Sequence, residues 1–538
     1  MSDTRQHPLG GLAPVSRRVM NLAHFLTQAA RRYPEAPALV MGDRTLSWRA
    51  LDQRVSALAL GLRAHGLEKG DRLLVQSRNG FEMIETQLAA FRLGAIWAPA
   101  NFRIAPEEAA WLAELTQAKM LVVGPEFEPH RQAMAAADPA LRLTLRLGEA
   151  PEGGDLDYEA LVAAHLGQTC ANIDVEHDDP CWFFFTSGTT GKSKAAVLTH
   201  GQMGFIVTNH LCDLMPGTDQ ASDASLVVAP LSHGSGIHYL TQLARGVKTV
   251  LPSAPGFDAE EIFALIDAHR ITNLFTVPTI VKLLVEDPAA ERYSAASLRY
   301  VIYAGAPMYR ADQQRALARL GPVLVQYYGL GEVTGNITVL PPQLHSADDA
   351  CFKVGTCGYD RTAMQVSIQD ETGRELPPHE SGEICVCGLG VFAGYYANPE
   401  ANAKSFRNGW FRTGDLGHLD DEGFLYITGR ASDMYISGGS NIYPREIEEK
   451  MLTHPDIREV AVVGMPDPRW GEIGVAAVVP REGAELDLAA LEGWVKAHVA
   501  SYKVPRRYHL FDSLPKSSYG KITKQLVRQA LERREATP

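Results

Sequence analysis

Short apolar runs alternate with amphipathic stretches in two long blocks of the chain, and no other feature restricts the fold as much. In the block 36–124, "RLLVQS" (72–77) is followed by "FEMIETQLAAFRLG", then "AIWAPAN", a helix opened by Pro106, and "KMLVVG". After 220, "SLVVAP" leads through "DAEEIFALIDAHR" to "ITNLFTV", "LRYVIY" and "PVLVQYYG". Repeats of strand, helix and strand build mostly parallel sheets with helices on both faces. Asp258, with Glu261 three residues on, predicts an N-cap box for the 258–270 helix.

The texture then changes twice. Between about 350 and 430, "MQVSIQD", "GEICVCG", "GWFRTGDLGHLD" and "GFLYITGR" read as short strands with Gly-rich turns, a small β-rich subdomain. After 433 the pattern predicts a helix from Pro444, strands near 457–463 and 473–479, a helix over 487–499, a strand near 508–511 and a terminal helix from about 522. A chain of 538 residues needs more than one core. The expected fold class is α/β: a large N-terminal domain of βαβ-type sheets (1–430, including the β-rich subdomain), a hinge at 431–433 and a small, mobile α+β domain over 434–538.

The net charge of −12 speaks against a nucleic-acid partner, since phosphate backbones select basic surfaces. The seven cysteines are scattered without a C-x-x-C, so neither a zinc site nor a disulfide framework is expected; Cys385 and Cys387 share a strand face and pack. The N-terminus, "MSDTRQHPLGGLAPVSRRVM", lacks an apolar h-region, and no charge-free stretch is long enough to span a bilayer. A soluble, cytoplasmic protein without stable membrane insertion is expected.

"TSGTTGKSK" (186–194) comes close to the Walker pattern G-x-x-x-x-G-K-[ST], but the first glycine position holds Thr186. A Walker loop also runs straight into a helix. Here "CWFFFT" precedes the loop and "AAVLTH" follows it, so the loop is expected between two strands. Gly188 and Gly191 permit positive φ, and backbone N–H groups, hydroxyls and two lysines can surround a phosphate.

Eight motifs follow one another in order: "TSGTTGKSK", "PLSHG" (230–234), "AGAPM" (304–308), "YYGLGE" (327–332), "WFRTGD" (410–415), "GR" (429–430), "SGGSNIYPREIE" (437–448) and "PKSSYGK" (515–521). Together they resemble the adenylate-forming superfamily, in its acyl-CoA synthetase branch, over nearly the whole chain. The resemblance implies ATP, Mg²⁺ and coenzyme A, and an acid that becomes an acyl-AMP before transfer to the CoA thiol. It implies ATP and AMP contacts from Thr186, Ser187, Gly188, Thr189, Thr190, Gly191 and Lys194, with Glu332 and Thr190 holding the metal. Lys521 would bridge carboxylate and α-phosphate.

Asp415 would accept from both ribose hydroxyls, as an ionised carboxylate can. Gly305, Ala306 and Pro307 would let backbone approach the adenine, Tyr328 would offer it a face, and Arg430 would reach ribose or phosphate. One of Tyr327 and Tyr328 is expected in the site and the other in the core. Ser437, Gly438, Gly439 and Trp470 would line the way for CoA, with Arg506 and Arg507 near its phosphates. Ser432 would be the pivot.

Three motifs depart from the family pattern, at four positions. Ser193, Lys194 and Ala195 replace a usual Pro-Lys-Gly, Gly331 replaces a threonine before Glu332, and Ser432 replaces a Lys or Asp. The acyl pocket is expected from "HGSGIHY" (233–239) and "VTGNITV" (333–339), with His233, Gly234, Gly236, Ile237, Ala304 and Gly329 lining it and His233 also counted as catalytic. Neither segment carries Arg, Lys or an acid, so a neutral monocarboxylic acid, medium-chain aliphatic or aromatic, is expected. The alternatives are loading of a carrier-protein phosphopantetheine and a non-catalytic nucleotide- or acyl-binding protein. A homodimer is the assembly this reading admits.

Overall fold

The structure, a computed structural model, describes residues 17–141, 143–148, 155–186, 192–306, 308–516 and 522–535. The first alternating block forms a seven-stranded sheet. Its order is Lys194–Thr199, Pro180–Thr186, Ile96–Pro99, Arg72–Gln76, Met120–Val123, Leu143–Arg146 and Leu156–Asp157. The strands run parallel except for the hairpin that joins Pro180–Thr186 to Lys194–Thr199. Helix Phe81–Leu93 covers this sheet and ends at Gly94, whose φ of +64° lets its N–H bond back to Ala90 and Phe91.

The second block forms a nine-stranded sheet. Six parallel strands, Leu324–Tyr328, Tyr300–Tyr303, Asn273–Thr276, Ala224–Val227, Lys248–Val250 and Pro37–Met41, make its centre, with antiparallel strands at both edges. Pro37–Met41 thus leaves the first block for the second sheet. In helix Ala259–His269, Asp258 caps Glu261 N–H at 3.1 Å. The Glu261 carboxylate does not return to residue 258. It accepts instead from the Ser253 and Ala254 N–H groups, so the expected box is half formed.

The residues 364–430 supply a five-stranded antiparallel sheet in which Trp410–Leu419 pairs with both Gly382–Gly388 and Leu425–Arg430. The largest core joins this sheet to the first one through helices His200–Asp213 and Gly234–Arg245. Trp97 and Trp182 meet there edge to face at 4.8 Å, a geometry that adds about 0.5–1.5 kcal/mol beyond area burial.

From Tyr435 onward a further sheet has cores of its own. Ile457–Asp467 and Gly471–Pro480 pair along their length, and side chains alternate between the faces. Val460 and Val462 pack with Ile447, Leu491 and Val495, whereas Ala461 and Val463 pack with Phe511, Val527 and Leu531. The helices observed here, Pro444–Met451, Leu488–His498 and Lys524–Glu535, are those that the sequence pattern predicts.

Candidate active site

The expected site residues gather at the carboxyl ends of two neighbouring parallel strands, Tyr300–Tyr303 and Leu324–Tyr328, where open α/β sheets bind ligands. Gly305 and Ala306 follow the first strand and are exposed, while Ala304 is buried. Gly305 takes φ +84°, a left-handed turn that a side chain would strain. The second strand ends at Tyr328 and leads to a short 3-10 turn, Gly331–Val333, that carries Glu332.

Alternation along Leu324–Tyr328 separates the two tyrosines. Tyr327 turns into the core and stacks on Phe275, with ring centroids 5.8 Å apart. Tyr328 turns toward Asp415, and its hydroxyl donates to Oδ2 at 2.6 Å. Asp415 lies in strand Trp410–Leu419 directly opposite Arg430, and this register brings Arg430 Nε to 3.1 Å from Oδ1. Burial pushes the Asp415 carboxyl up, against the pull of Arg430 and the Tyr328 hydroxyl. Arg430 is held further up, first by the Asp415 charge, with smaller contributions that include Glu332. Asp415 is therefore a strand residue with both oxygens engaged.

Glu332 is 5% exposed. Its Oε1 accepts from Thr186 Oγ1 at 3.1 Å and from the Tyr395 hydroxyl at 2.8 Å. Among the described residues nothing bonds Oε2. Lys194 Nζ lies over the Tyr395 ring at 4.7 Å, so the cation and the Glu332 carboxylate share Tyr395 as a neighbour. Tyr395 is a residue that sequence reasoning missed: it follows Gly394 in an unremarked Tyr-Tyr pair, with no spacing that ties it to Glu332.

Thr186 and Lys194 face each other as the closing pair of the hairpin, so the loop between two strands is as expected. Ser187, Gly188, Thr189, Thr190 and Gly191 lie outside the described residues, as do Pro307 and Lys521. Where the chain resumes, Ser193 Oγ donates to Glu108 at 2.9 Å, Trp111 Nε1 donates to the Ser193 carbonyl at 2.9 Å, and Lys192 covers the Trp111 ring. Ser193 thus anchors the end of the loop to helix Pro106–Thr116 where the family pattern has Pro. Gly331 also has a packing reason. A Cβ there would fall 2.6 Å from the Phe184 ring and 2.8 Å from Thr186 Cγ2, so a threonine would displace both.

The expected acyl segments divide. His233 precedes helix Gly234–Arg245, shares a hydrogen bond of 2.8 Å between its Nδ1 and the Ser232 hydroxyl, and meets Phe184 edge to face. Gly234 leaves room for the Phe275 ring, which a Cβ would approach to 2.4 Å. Gly236 is small for another reason: a Cβ would sit 2.1 Å from the Leu231 carbonyl oxygen. Ile237 belongs to the main core. Gly329 presses on the Gly335 backbone, closing the 329–335 loop. A basic residue outside both segments, Arg361, is also brought here: Nη2 is 3.4 Å from His210 Nδ1, and Asp213 answers Nε at 3.4 Å, which keeps the region neutral overall.

In the C-terminal unit, Ser437 pairs with Gly471, and Gly438 N–H donates to the Trp470 carbonyl at 2.9 Å. Gly438 and Gly439 take φ of +57° and +82°, and a Cβ on Gly439 would meet nothing within 4 Å. Trp470 is flanked by the Arg469 and Arg506 guanidiniums, 5.1 and 4.4 Å from its ring. Arg507 does not join them; Glu535 holds its guanidinium at 2.7 Å. Ser432 lies exposed in the turn after Arg430, where Asp433 and Met434 donate to the Arg430 carbonyl.

The family model described as AMP-binding enzyme matches residues 26–396, and that described as AMP-binding enzyme C-terminal domain matches 446–521. The chain is 35% identical to a feruloyl-CoA synthase of Amycolatopsis sp over 515 residues, which covers 95% of this chain and 99% of that protein. It is also 35% identical to an indoleacetate–CoA ligase of Aromatoleum aromaticum, covering 96% and 99%. The solved o-succinylbenzoate CoA synthetase of Bacillus subtilis, in complex with its acyl-adenylate intermediate, superposes with a TM-score of 0.83 at 28% identity, covering 96% of this chain and 98% of that one.

Proposed function

Because the chain belongs to the AMP-binding enzyme family, we propose that the site built around Glu332 and Asp415 performs the chemistry of an AMP-forming carboxylate–CoA ligase. The acid is a neutral monocarboxylic acid, aromatic or aliphatic, and its co-substrates are ATP and coenzyme A. One carboxylate oxygen of the acid attacks the α-phosphorus of ATP, and pyrophosphate leaves. The CoA thiol then attacks the acyl carbon and expels AMP. Such substrates suit a cytoplasmic enzyme. Among the described residues no helix is long and apolar enough to cross a membrane.

The observation that carries this reading is the pair of buried carboxylates beside the ends of adjacent parallel strands. Mg²⁺ takes one or two carboxylates together with substrate phosphates rather than a cage of protein ligands. Glu332 fits that role: Thr186 and Tyr395 fix one oxygen and leave the other for the cation. When bound, the metal neutralises charge on the phosphates. Asp415 accepts from the ribose hydroxyls while Tyr328 and Arg430 hold its orientation. Lys194, held over the Tyr395 ring, meets phosphate oxygens, and Lys521 joins the two anions that react. The test is incubation of a carboxylic-acid panel with ATP and Mg²⁺, with and without CoA. Pyrophosphate release, and thioester only when CoA is present, is the expected result; ADP as product would contradict it.

Gly439 leaves width for the pantetheine arm, whereas the space a side chain would take at Gly438 is filled by the Trp470 ring at 2.9 Å, against the expectation that both glycines are open. Gly439→Trp is expected to reduce acyl-CoA yield at least about ten-fold while pyrophosphate release changes little, because the indole fills space that glycine leaves open. Pyrophosphate and thioester measured side by side check this, and an intact thioester yield would show that the thiol enters elsewhere.

Lys521 for the first step and the 437–439 segment for the second cannot both occupy one site, so the unit after Ser432 turns between steps. None of the turn's backbone hydrogen bonds uses the Ser432 N–H. Proline fixes φ near about −65° without breaking one there. Ser432→Pro is expected to leave one half-reaction running and lower the other about ten-fold or more. Both half-reactions are assayed separately on protein with an unchanged melting profile, and two unimpaired rates would move the pivot to Ala431 or Asp433.

A further inference from the structure

Behind Gly234 and Gly335 stands a buried polar and aromatic cluster that the adenylation chemistry leaves unused. Its rings are contiguous: Phe275 lies on Gly234, Tyr327 stacks on Phe275, and His210 meets the Tyr327 edge at 6.0 Å. Gly335 is glycine beneath the Tyr327 ring, which a Cβ would approach to 2.2 Å. The cluster therefore spans the space between the two segments assigned to the acid, 233–239 and 333–339. Phe275 and Tyr327 keep 8% and 7% of their surface accessible, so this wall is not sealed inside the core.

Its hydrogen bonds fix which polar atoms face no protein partner. The Asn209 amide N–H donates to the Thr362 carbonyl at 2.6 Å, so Asn209 presents Oδ1 to its other neighbour. Asn336 donates Nδ2 to that oxygen at 2.9 Å, which leaves Asn336 Oδ1 as a fully buried acceptor with no partner among the described residues. Arg361 N–H donates to the Ile337 carbonyl at 3.0 Å, bringing Arg361 alongside Asn336. Arg361 spends Nε on Asp213 and Nη2 on His210, and its Nη1 is a buried donor with no partner. Burial lowers its pKa to about 10, against the pull of Asp213. Burial, and then the Arg361 charge, keep His210 well below the usual imidazole range, so the ring is neutral. An orphaned buried polar atom costs about 1–3 kcal/mol, and here an acceptor and a donor are left on neighbouring residues of one wall.

We propose that this wall reads a hydroxyl group on the far end of an aromatic acid, with Asn336 Oδ1 accepting from that hydroxyl and Arg361 Nη1 donating to it. The inference rests on the reading of the site as an acyl pocket. A hydroxyl donates and accepts at once, which matches this pair. The rings of Phe275, Tyr327 and His210 supply the faces an aryl group packs against. A second carboxylate fits less well, because Asp213 already answers the Arg361 charge and Asn336 offers it another acceptor.

The test compares kcat/KM for cinnamate, 4-hydroxycinnamate, 4-methoxycinnamate and 4-carboxycinnamate by pyrophosphate release. The expected preference for 4-hydroxycinnamate over cinnamate is about ten-fold or more, since a buried pair built for a hydroxyl is left bare by its analogue. The methoxy acid, which cannot donate to Asn336, falls below the hydroxy acid. In Asn336→Leu and Asn336→Ala the hydroxy-to-cinnamate ratio drops toward one, whereas a purely structural loss would scale both acids together. A wild-type ratio near one, a faster 4-carboxy acid, or a ratio unchanged in both variants would overturn the proposal. Activation of aliphatic acids without any aromatic acid would also overturn it and leave the ligase reading intact. Pyrophosphate release without thioester would defeat the CoA reading while the hydroxyl preference stands.

Discussion

Glu332→Gln is expected to slow pyrophosphate release about 10²–10³-fold, the scale seen when one preorganised charge-stabilising group is removed. Glutamine keeps the shape, and its carbonyl can still accept from Thr186 and Tyr395 as the carboxylate does at 3.1 and 2.8 Å. What disappears is the negative charge and with it the hold on Mg²⁺. A Mg²⁺ titration of the rate should shift to higher concentration in the variant, while its melting profile stays close to that of the parent. A variant with full activity at the parent's Mg²⁺ requirement would remove Glu332 from the metal.

Lys521→Ala is expected to produce a loss of similar size, about 10²–10³-fold, confined to acyl-AMP formation. The first step joins a carboxylate to a phosphate that is itself anionic, so a cation placed between them acts where charge is most concentrated. Thioester formation from supplied acyl-AMP has no such encounter and should fall by less than about ten-fold. Equal losses in both half-reactions would assign Lys521 to folding or to both steps. The two variants differ in a useful way, since only Glu332→Gln should respond to added Mg²⁺.

Much of this fold was legible because it depends on local periodicity. The alternating blocks became the two large sheets, and Pro106 and Pro444 mark helix starts as fixed-φ residues do. What local pattern could not give was pairing at long range. Pro37–Met41 reads as part of the first block, yet it pairs with Lys248–Val250 in the second sheet. Asp415 and Arg430 were each singled out by their motifs, but only strand register makes them partners. Tyr395 and Arg361 left no signal: their partners Glu332 and His210 lie 63 and 151 residues away in sequence, and neither tyrosine nor arginine is unusual where it stands. The two segments surveyed for the acid carry no basic residue, and Arg361, which belongs to neither, is answered by Asp213.

The acyl-adenylate route itself is tested most directly by following one oxygen atom. With the acid labelled with ¹⁸O in its carboxylate, attack on the α-phosphorus makes that oxygen the bridge between acyl group and AMP, and thiol attack then leaves it on the phosphate. Mass analysis after turnover with ATP, Mg²⁺ and CoA should find one ¹⁸O in AMP and one in the thioester carbonyl. Label in inorganic phosphate, or AMP that carries none, would contradict the account.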